Sequence, residues 1–183
     1  MSEAETADCD GIDPRAIFRD AMSRLGAAVH IITTAGPAGR FGMSASAVCS
    51  VTDGPPTLLV CINRASAGNA ALKENGVLCI NLIAERHKAL AARFSTHDLT
   101  IEERFGDPSQ WQSLATGAPS LIDAAAALDC RISAVSEVGS HSVLFAEVQE
   151  ITLGGHPECL VYFDRAFHTL TRQAAPEMAN AVS

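Results

Sequence analysis

The stretch Gly42 to Ser50, GMSASAVCS, sets the hydroxyls of Ser44, Ser46 and Ser50 among side chains no larger than valine or methionine. Small side chains let a ligand lie against the backbone, while hydroxyls and free N–H groups can hold an anion. A tightly packed strand of small residues would have the same composition, so the stretch needs companions. One is Asn63-Arg64-Ala65-Ser66, which offers amide, guanidinium and hydroxyl donors to a phosphate, or else forms a polar turn. Another is Gly139-Ser140-His141. There glycine permits close backbone approach, and an imidazole at a strand end can donate to a ligand amide or phosphate. The last, Tyr162 to His168 (YFDRAFH), places aromatics beside Asp164 and Arg165.

Other chemistries lack their residues. No GxGxxG, GxxxxGK[ST] or GxSxG occurs, and Gly36, Gly39 and Gly42 have the wrong spacing for a dinucleotide fingerprint. The 6 cysteines include no CxxC pair, and most sit in apolar runs where cysteine behaves as a small hydrophobe. His30, His97, His156 and His168 have no ligand spacing, and His87 reads as packing on an apolar helix face. Neither a metal site nor a Ser-His-Asp triad is expected. The net charge of -8 argues against nucleic acid or an anionic membrane as partner. The N-terminus MSEAETADCD is acidic and polar, and no apolar run approaches the ~20 residues of a membrane span. A cytoplasmic protein with reduced thiols is the expectation.

The elements that must carry these residues follow from periodicity. Asp13-Pro14 can start a helix whose apolar face is Phe18, Ala21, Met22 and Leu25. Val29 to Thr34 is β-branched and predicts a strand, pairing across the Gly36–Gly39 turn with the segment beyond Gly42. A hairpin is expected from Val48–Val51 and Leu58–Ile62 around Asp53-Gly54-Pro55-Pro56, followed by a short helix over Asn69–Glu74. Val77 to Ile83 reads as a buried strand, and Ile83, His87, Leu90, Ala91 and Phe94 share a helical face. Period two sets in from Leu128 to Val135, with further strands at Val143–Ile151 and Leu160–Phe163. Some six or seven strands with hairpin-type links give a mainly β antiparallel barrel with helices on its rim. With 183 residues, 48% of them hydrophobic, one domain over residues 14–170 is expected, with tails at 1–13 and 171–183.

Taken in order, the segments carry a resemblance. They are FRDAMSRLGAAVHIITT (Phe18 to Thr34), GMSASAVCSVTDGPPTLLVCINRAS (Gly42 to Ser66), VLCINLI (Val77 to Ile83), EERFGD (Glu102 to Asp107), GAPSLIDA (Gly117 to Ala124), GSHSV (Gly139 to Val143) and LVYFDRAFH (Leu160 to His168). The chain resembles the short-chain flavin reductase family over about Phe18 to Leu170. The resemblance implies an FMN-binding split β-barrel, a Greek-key antiparallel barrel working as a homodimer. It implies reduction of FMN or FAD by NADH or NADPH, the reduced flavin then passing to a separate monooxygenase. By the same resemblance Ser44, Ala45 and Ser46 would hold the flavin ribityl-phosphate arm, and Val48, Cys49 and Ser50 would present backbone to the isoalloxazine. Asn63, Arg64, Ala65 and Ser66 would serve the phosphate, with Asn69 in the helix near it. Arg104 and Phe105 would border the flavin, His141 would orient the nicotinamide, and Tyr162, Asp164 and Arg165 would help hold the dinucleotide. Ala67-Gly68 departs from the family, which usually has hydroxyl residues there. A carrier or sensor that binds flavin or haem without catalysis would need the cradle alone, and an oxidase with permanently bound flavin is the nearer alternative.

Overall fold

The run Val77–Leu82 is apolar without alternation because nearly all of it is buried, on both faces. Leu78 and Ile80 point into one apolar cluster, Val77 and Cys79 into another. The same split divides Ile31 from Ile32 one strand away. A strand sandwiched between two cores has no polar face to reveal its period.

A computed structural model describes residues 13–96, 98–155 and 158–171. In chain order the elements are α1 (Pro14–Ser23), β1 (Ala27–Ala28), β2 (His30–Thr34), β3 (Phe41–Ala45), β4 (Val48–Asp53) and β5 (Pro56–Asn63). Then come α2 (Ala67–Asn75), β6 (Val77–Leu82), a 3-10 turn (Glu85–His87), α3 (Lys88–Ser95), α4 (Ile101–Phe105) and a 3-10 turn (Pro108–Gln110). The chain continues through β7 (Trp111–Ser113), β8 (Pro119–Leu121), β9 (Ala126–Val138), β10 (His141–Leu153), β11 (Glu158–Phe163) and β12 (Ala166–Thr171). The expected strands are all present. Sequence periodicity missed β1, β7, β8 and β12, which are too short or too exposed to carry a clear pattern. The tails expected at 1–13 and 171–183 lie outside the described residues, apart from Asp13 and Thr171. Asp13 is no tail residue: its carboxylate caps α1 by accepting from the Arg15 amide at 3.0 Å.

Seven strands form one antiparallel sheet in the order β3-β2-β6-β9-β10-β5-β4. Its edge strands β3 and β4 are consecutive in the chain, with only Ser46 and Ala47 between them. The Ala47 carbonyl accepts from the Cys61 amide at 3.0 Å, so the sheet curls and its edges meet at one end. This is a split barrel: closed at the Ser46–Ala47 corner and open along the rest of the seam. Its interior holds Ile32, Val60, Ile62, Leu78, Ile80 and Leu144, and Leu72 of α2 plugs one end. Outside, α3, α4 and β8 cover the second face of β2 and β6, burying Phe94, Phe105 and Leu121.

A smaller sheet, β1-β11-β12, packs beside the barrel, joined to it where the Val29 amide donates to the Leu160 carbonyl and the Leu160 amide to the Ile83 carbonyl, each at 2.8 Å. Helix α1 buries none of its residues. Its apolar face, expected to pack, leaves Phe18 66% exposed and Met22 46%.

Candidate functional site

One cleft of about 550 Å³ is lined by β3 (Phe41, Met43, Ser44), by the β5–α2 junction (Ala65, Ser66, Ala67), and by the end of α3 through the start of α4. Of the predicted cradle Ser44 reaches this cleft, and of the predicted Asn63–Ser66 segment Ala65 and Ser66 do. Ser66 caps α2, its Oγ accepting from the Gly68 amide at 3.2 Å. The positive end of that helix dipole faces the cleft, which favours an anion.

Arg104 forms the floor. Its Nη1 donates to the Gly42 carbonyl at 2.9 Å and its Nη2 to the Thr96 carbonyl at 2.7 Å. The residue is only 7% exposed, and its buried Nε has no partner among the described residues. Arg104 lines the cleft, so its guanidinium brings a positive charge to the wall where an anionic ligand would lie. This fits a phosphate-bearing cofactor, as does the apolar wall of Phe41, Met43 and Phe94.

The other predicted residues divide. Ser44 Oγ donates to the Ala91 carbonyl at 2.8 Å, so its hydroxyl proton is committed and only its lone pairs face the cleft. Ala45 pairs with His30 in the β2–β3 ladder, and its carbonyl sits 3.3 Å from His30 Nδ1. Burial holds the His30 imidazole below its usual pKa, against the raising effect of bonds to Ala45 and Ala28. Ser46 is exposed at the barrel corner, and Val48, Cys49 and Ser50 lie on the edge strand β4, whose outer side is unpaired. Asn63 faces His141 directly in the β10–β5 register, so the predicted anion segment and the predicted histidine are brought together. His141 is exposed, with Nδ1 2.9 Å from Ser140 Oγ.

Asn69 stands in the first turn of α2 as expected, but it is buried, and its Nδ2 donates to the Ile62 carbonyl at 3.2 Å and to Ser142 Oγ at 2.8 Å. Three other placements differ from expectation. Arg64 turns away from the cleft toward the β9–β10 turn, with Nε 3.0 Å from Glu137 Oε2 and Nη1 3.3 Å from the Gly139 carbonyl. Phe105 is 1% exposed, stacked edge-on against Phe94 and Trp111, and so supports the cleft wall from behind. Tyr162, Asp164 and Arg165 do not line the cleft of their own chain. They form the β11–β12 hairpin, where Tyr162 packs on Phe167 and Arg165 pairs with Asp20 of α1 at 3.1 Å. Lys88 at the start of α3 lies over the Phe167 ring, while Ser95 at its end lines the cleft. Hairpin and cleft thus sit at opposite ends of α3.

Sequence reasoning missed Phe41, Thr96, Leu99, Thr100 and Ile101 as cleft residues. One signal was available: Thr100 and Glu103 form a reciprocal capping box, T-x-x-E, marking the start of α4. His87 is more than packing. Its Nδ1 accepts from the Ala84 amide at 3.2 Å and its Nε2 lies 2.9 Å from Asp123 Oδ1, which leaves no ring nitrogen free for proton transfer. Burial raises the Asp123 carboxyl, but bonds from His87 and Arg86 outweigh it and the net shift is downward. Burial pushes the Cys130 thiol up to about 12, and the Cys79 thiol upward as well, so neither is a nucleophile. Among the described residues no cluster of His, Cys, Asp or Glu could hold a metal, and no helix is long and apolar enough to cross a membrane.

Comparison with known proteins gives concordant matches. The flavin reductase like domain family matches residues 22–171. A protein of Ancylobacter novellus named FMN reductase (NADH) RutF is 54% identical over 153 residues, 84% of this chain and 83% of that one. Its namesake from Variovorax paradoxus is 52% identical over 163 residues, 89% of this chain and 88% of that one. Among solved structures, one from Haemophilus somnus 129PT described as a candidate flavin reductase has a TM-score of 0.81 at 41% identity, covering 87% of this chain and all (100%) of that one. BorF, the flavin reductase component of a bacterial two-component tryptophan halogenase, has a TM-score of 0.80 at 25% identity, covering 88% of this chain and 100% of that one.

Proposed function

The chain belongs to the flavin reductase like domain family, and from that premise we propose that it is an NADH-dependent FMN reductase. It works as a homodimer, a single domain over residues 14–170, that releases reduced flavin to a separate monooxygenase. The observation that carries this reading is the cleft that brings the Arg104 guanidinium together with the N-terminus of α2. Relatives near 50% identity named FMN reductase (NADH) favour FMN over FAD and NADH over NADPH. Structural neighbours that are reductase components of two-component enzymes favour a partner oxygenase.

When bound, flavin and nicotinamide supply the hydride chemistry themselves. The residues of this chain bind, orient and exclude water. Arg104 and the α2 N-terminus hold the phosphate oxygens, with Ser44 lone pairs and Ser66 beside them. Phe41, Met43 and Phe94 keep water from one side. His141, at the head of β10 beside Asn63, would orient the nicotinamide. No general acid or base is required, which agrees with the committed nitrogens of His87. Support for the dimer is the exposed apolar side chains spread along the β9–β10 hairpin, Val135 and Val138 toward its turn and Ile151 and Leu153 at its open end.

The test is NADH oxidation followed by absorbance with FMN, FAD or riboflavin added, together with sedimentation. Rapid turnover with FMN by a dimer that loses its flavin on dialysis is expected. No oxidation with any flavin would sink the proposal, and flavin retained through dialysis would favour a flavin-retaining oxidase.

A further inference from the structure

Glu137 lies near the end of β9, outside the cleft and outside every segment singled out in the sequence. Its carboxylate collects three donors from three elements. Lys73 Nζ of α2 lies 2.5 Å from Oε1, Ser142 Oγ of β10 donates to Oε2 at 2.9 Å, and Arg64 Nε lies 3.0 Å from Oε2. Two of the donors are tied to something else. Ser142 Oγ accepts from buried Asn69 of α2 at 2.8 Å. Arg64 donates through Nη1 to the Gly139 carbonyl at 3.3 Å and through its backbone amide to the Ser140 carbonyl at 2.9 Å. Asn69 and Lys73 stand one helical turn apart, so one face of α2 grips the β9–β10 hairpin.

The network therefore spans the gap between the anion-binding junction, Asn63 to Ala67, and the turn that carries His141. We propose that Glu137 is a positioning residue: through Arg64, Lys73 and Ser142 it fixes the Gly139–His141 turn relative to the flavin-binding junction, and so sets the placement of the nicotinamide. Arg64 is then a strut between the two halves of the site. A single exposed ion pair would contribute little. Here one carboxylate is shared by three donors, two of them anchored elsewhere, and a support of this kind governs geometry more than overall stability.

This proposal rests on the reductase reading, and the wild-type protein tests that reading separately by its NADH oxidation with FMN. Glu137→Gln preserves shape and removes the charge. The expected result is a rise of about three- to tenfold in KM for NADH, with KM for FMN and the FMN dissociation constant within about twofold of wild type. Arg64→Gln should reproduce the effect, and the double variant should be no worse than either single one, because both break the same link. Hydrogen exchange gives a readout independent of turnover: the Arg64 amide should exchange faster in Glu137→Gln while β6 amides do not. Equal rises in both KM values, additive single effects, or unchanged exchange at Arg64 would each overturn the proposal.

Discussion

Ser44 Oγ donates to the Ala91 carbonyl at 2.8 Å, tying the edge strand β3 to helix α3 across the head of the cleft. The hydroxyl that the sequence marks as a ligand group is thus also a structural strut. Ser44→Ala removes a part-buried bond and should cost about 0.5–1.5 kcal/mol, a fall of a few degrees in Tm, with weaker FMN binding alongside. Thermal unfolding and fluorescence titration measure the two effects. Weaker binding at unchanged Tm would mean that the hydroxyl serves the ligand alone.

Gly68 shows why a departure from the family pattern is tolerated here. A Cβ at this position would lie 2.6 Å from Phe41 Cε1 and 3.0 Å from Met43 Sδ, both on cleft residues. Gly68→Ser would introduce a hydroxyl near the helix N-terminus only by displacing the aromatic wall. The variant should lose about 1–3 kcal/mol of stability and bind FMN more weakly. Tighter FMN binding would show that the wall yields.

Arg104→Lys separates charge from geometry. An ammonium is a single point of charge and cannot reproduce the planar fork whose two Nη atoms reach the Gly42 and Thr96 carbonyls while the guanidinium lines the cleft. A hydrogen bond to a charged group is worth about 1.5–3 kcal/mol, so FMN affinity should fall about ten- to hundredfold. Riboflavin, which has no phosphate, should be affected far less. Equal losses for both ligands would remove Arg104 from the phosphate.

Asp129 gives the fold a pH signature. It is fully buried on β9, its carboxylate accepting from the Thr116 amide at 2.6 Å and from Thr116 Oγ1 at 2.5 Å. Burial raises its pKa above the usual aspartate value, and the two bonds from Thr116 only partly oppose that. The native state therefore binds this proton more tightly than the unfolded chain. Its contribution to stability is present below the unfolded pKa and is lost as pH rises through the higher folded value. Asp129→Asn should flatten that segment of the curve, with the stability of wild type relative to the variant declining as pH rises. Denaturant melts across the acidic range check this, and parallel curves would refute it.

The sequence by itself determined the strands that matter most and the segments that meet. The largely apolar run at Val77–Leu82, the alternation through β9 and the β-branched Ile31–Thr34 locate the barrel wall, because hydrophobic burial is written in side-chain type and period. The ordered motifs also carried the family, and Ser44, Ala65 and Ser66 carried part of the cleft lining. Tertiary structure alone decided where each polar side chain spends its hydrogen bonds. Nothing local distinguishes an Arg64 that meets Glu137 from one that meets a phosphate, or an Asn69 that pins Ser142 from one that caps a ligand. Phe105 likewise became support for the wall, and the Tyr162–Arg165 hairpin went to the far end of α3. A polar group takes whichever partner the folded backbone brings within about 3 Å, and that partner is set by elements distant in the chain.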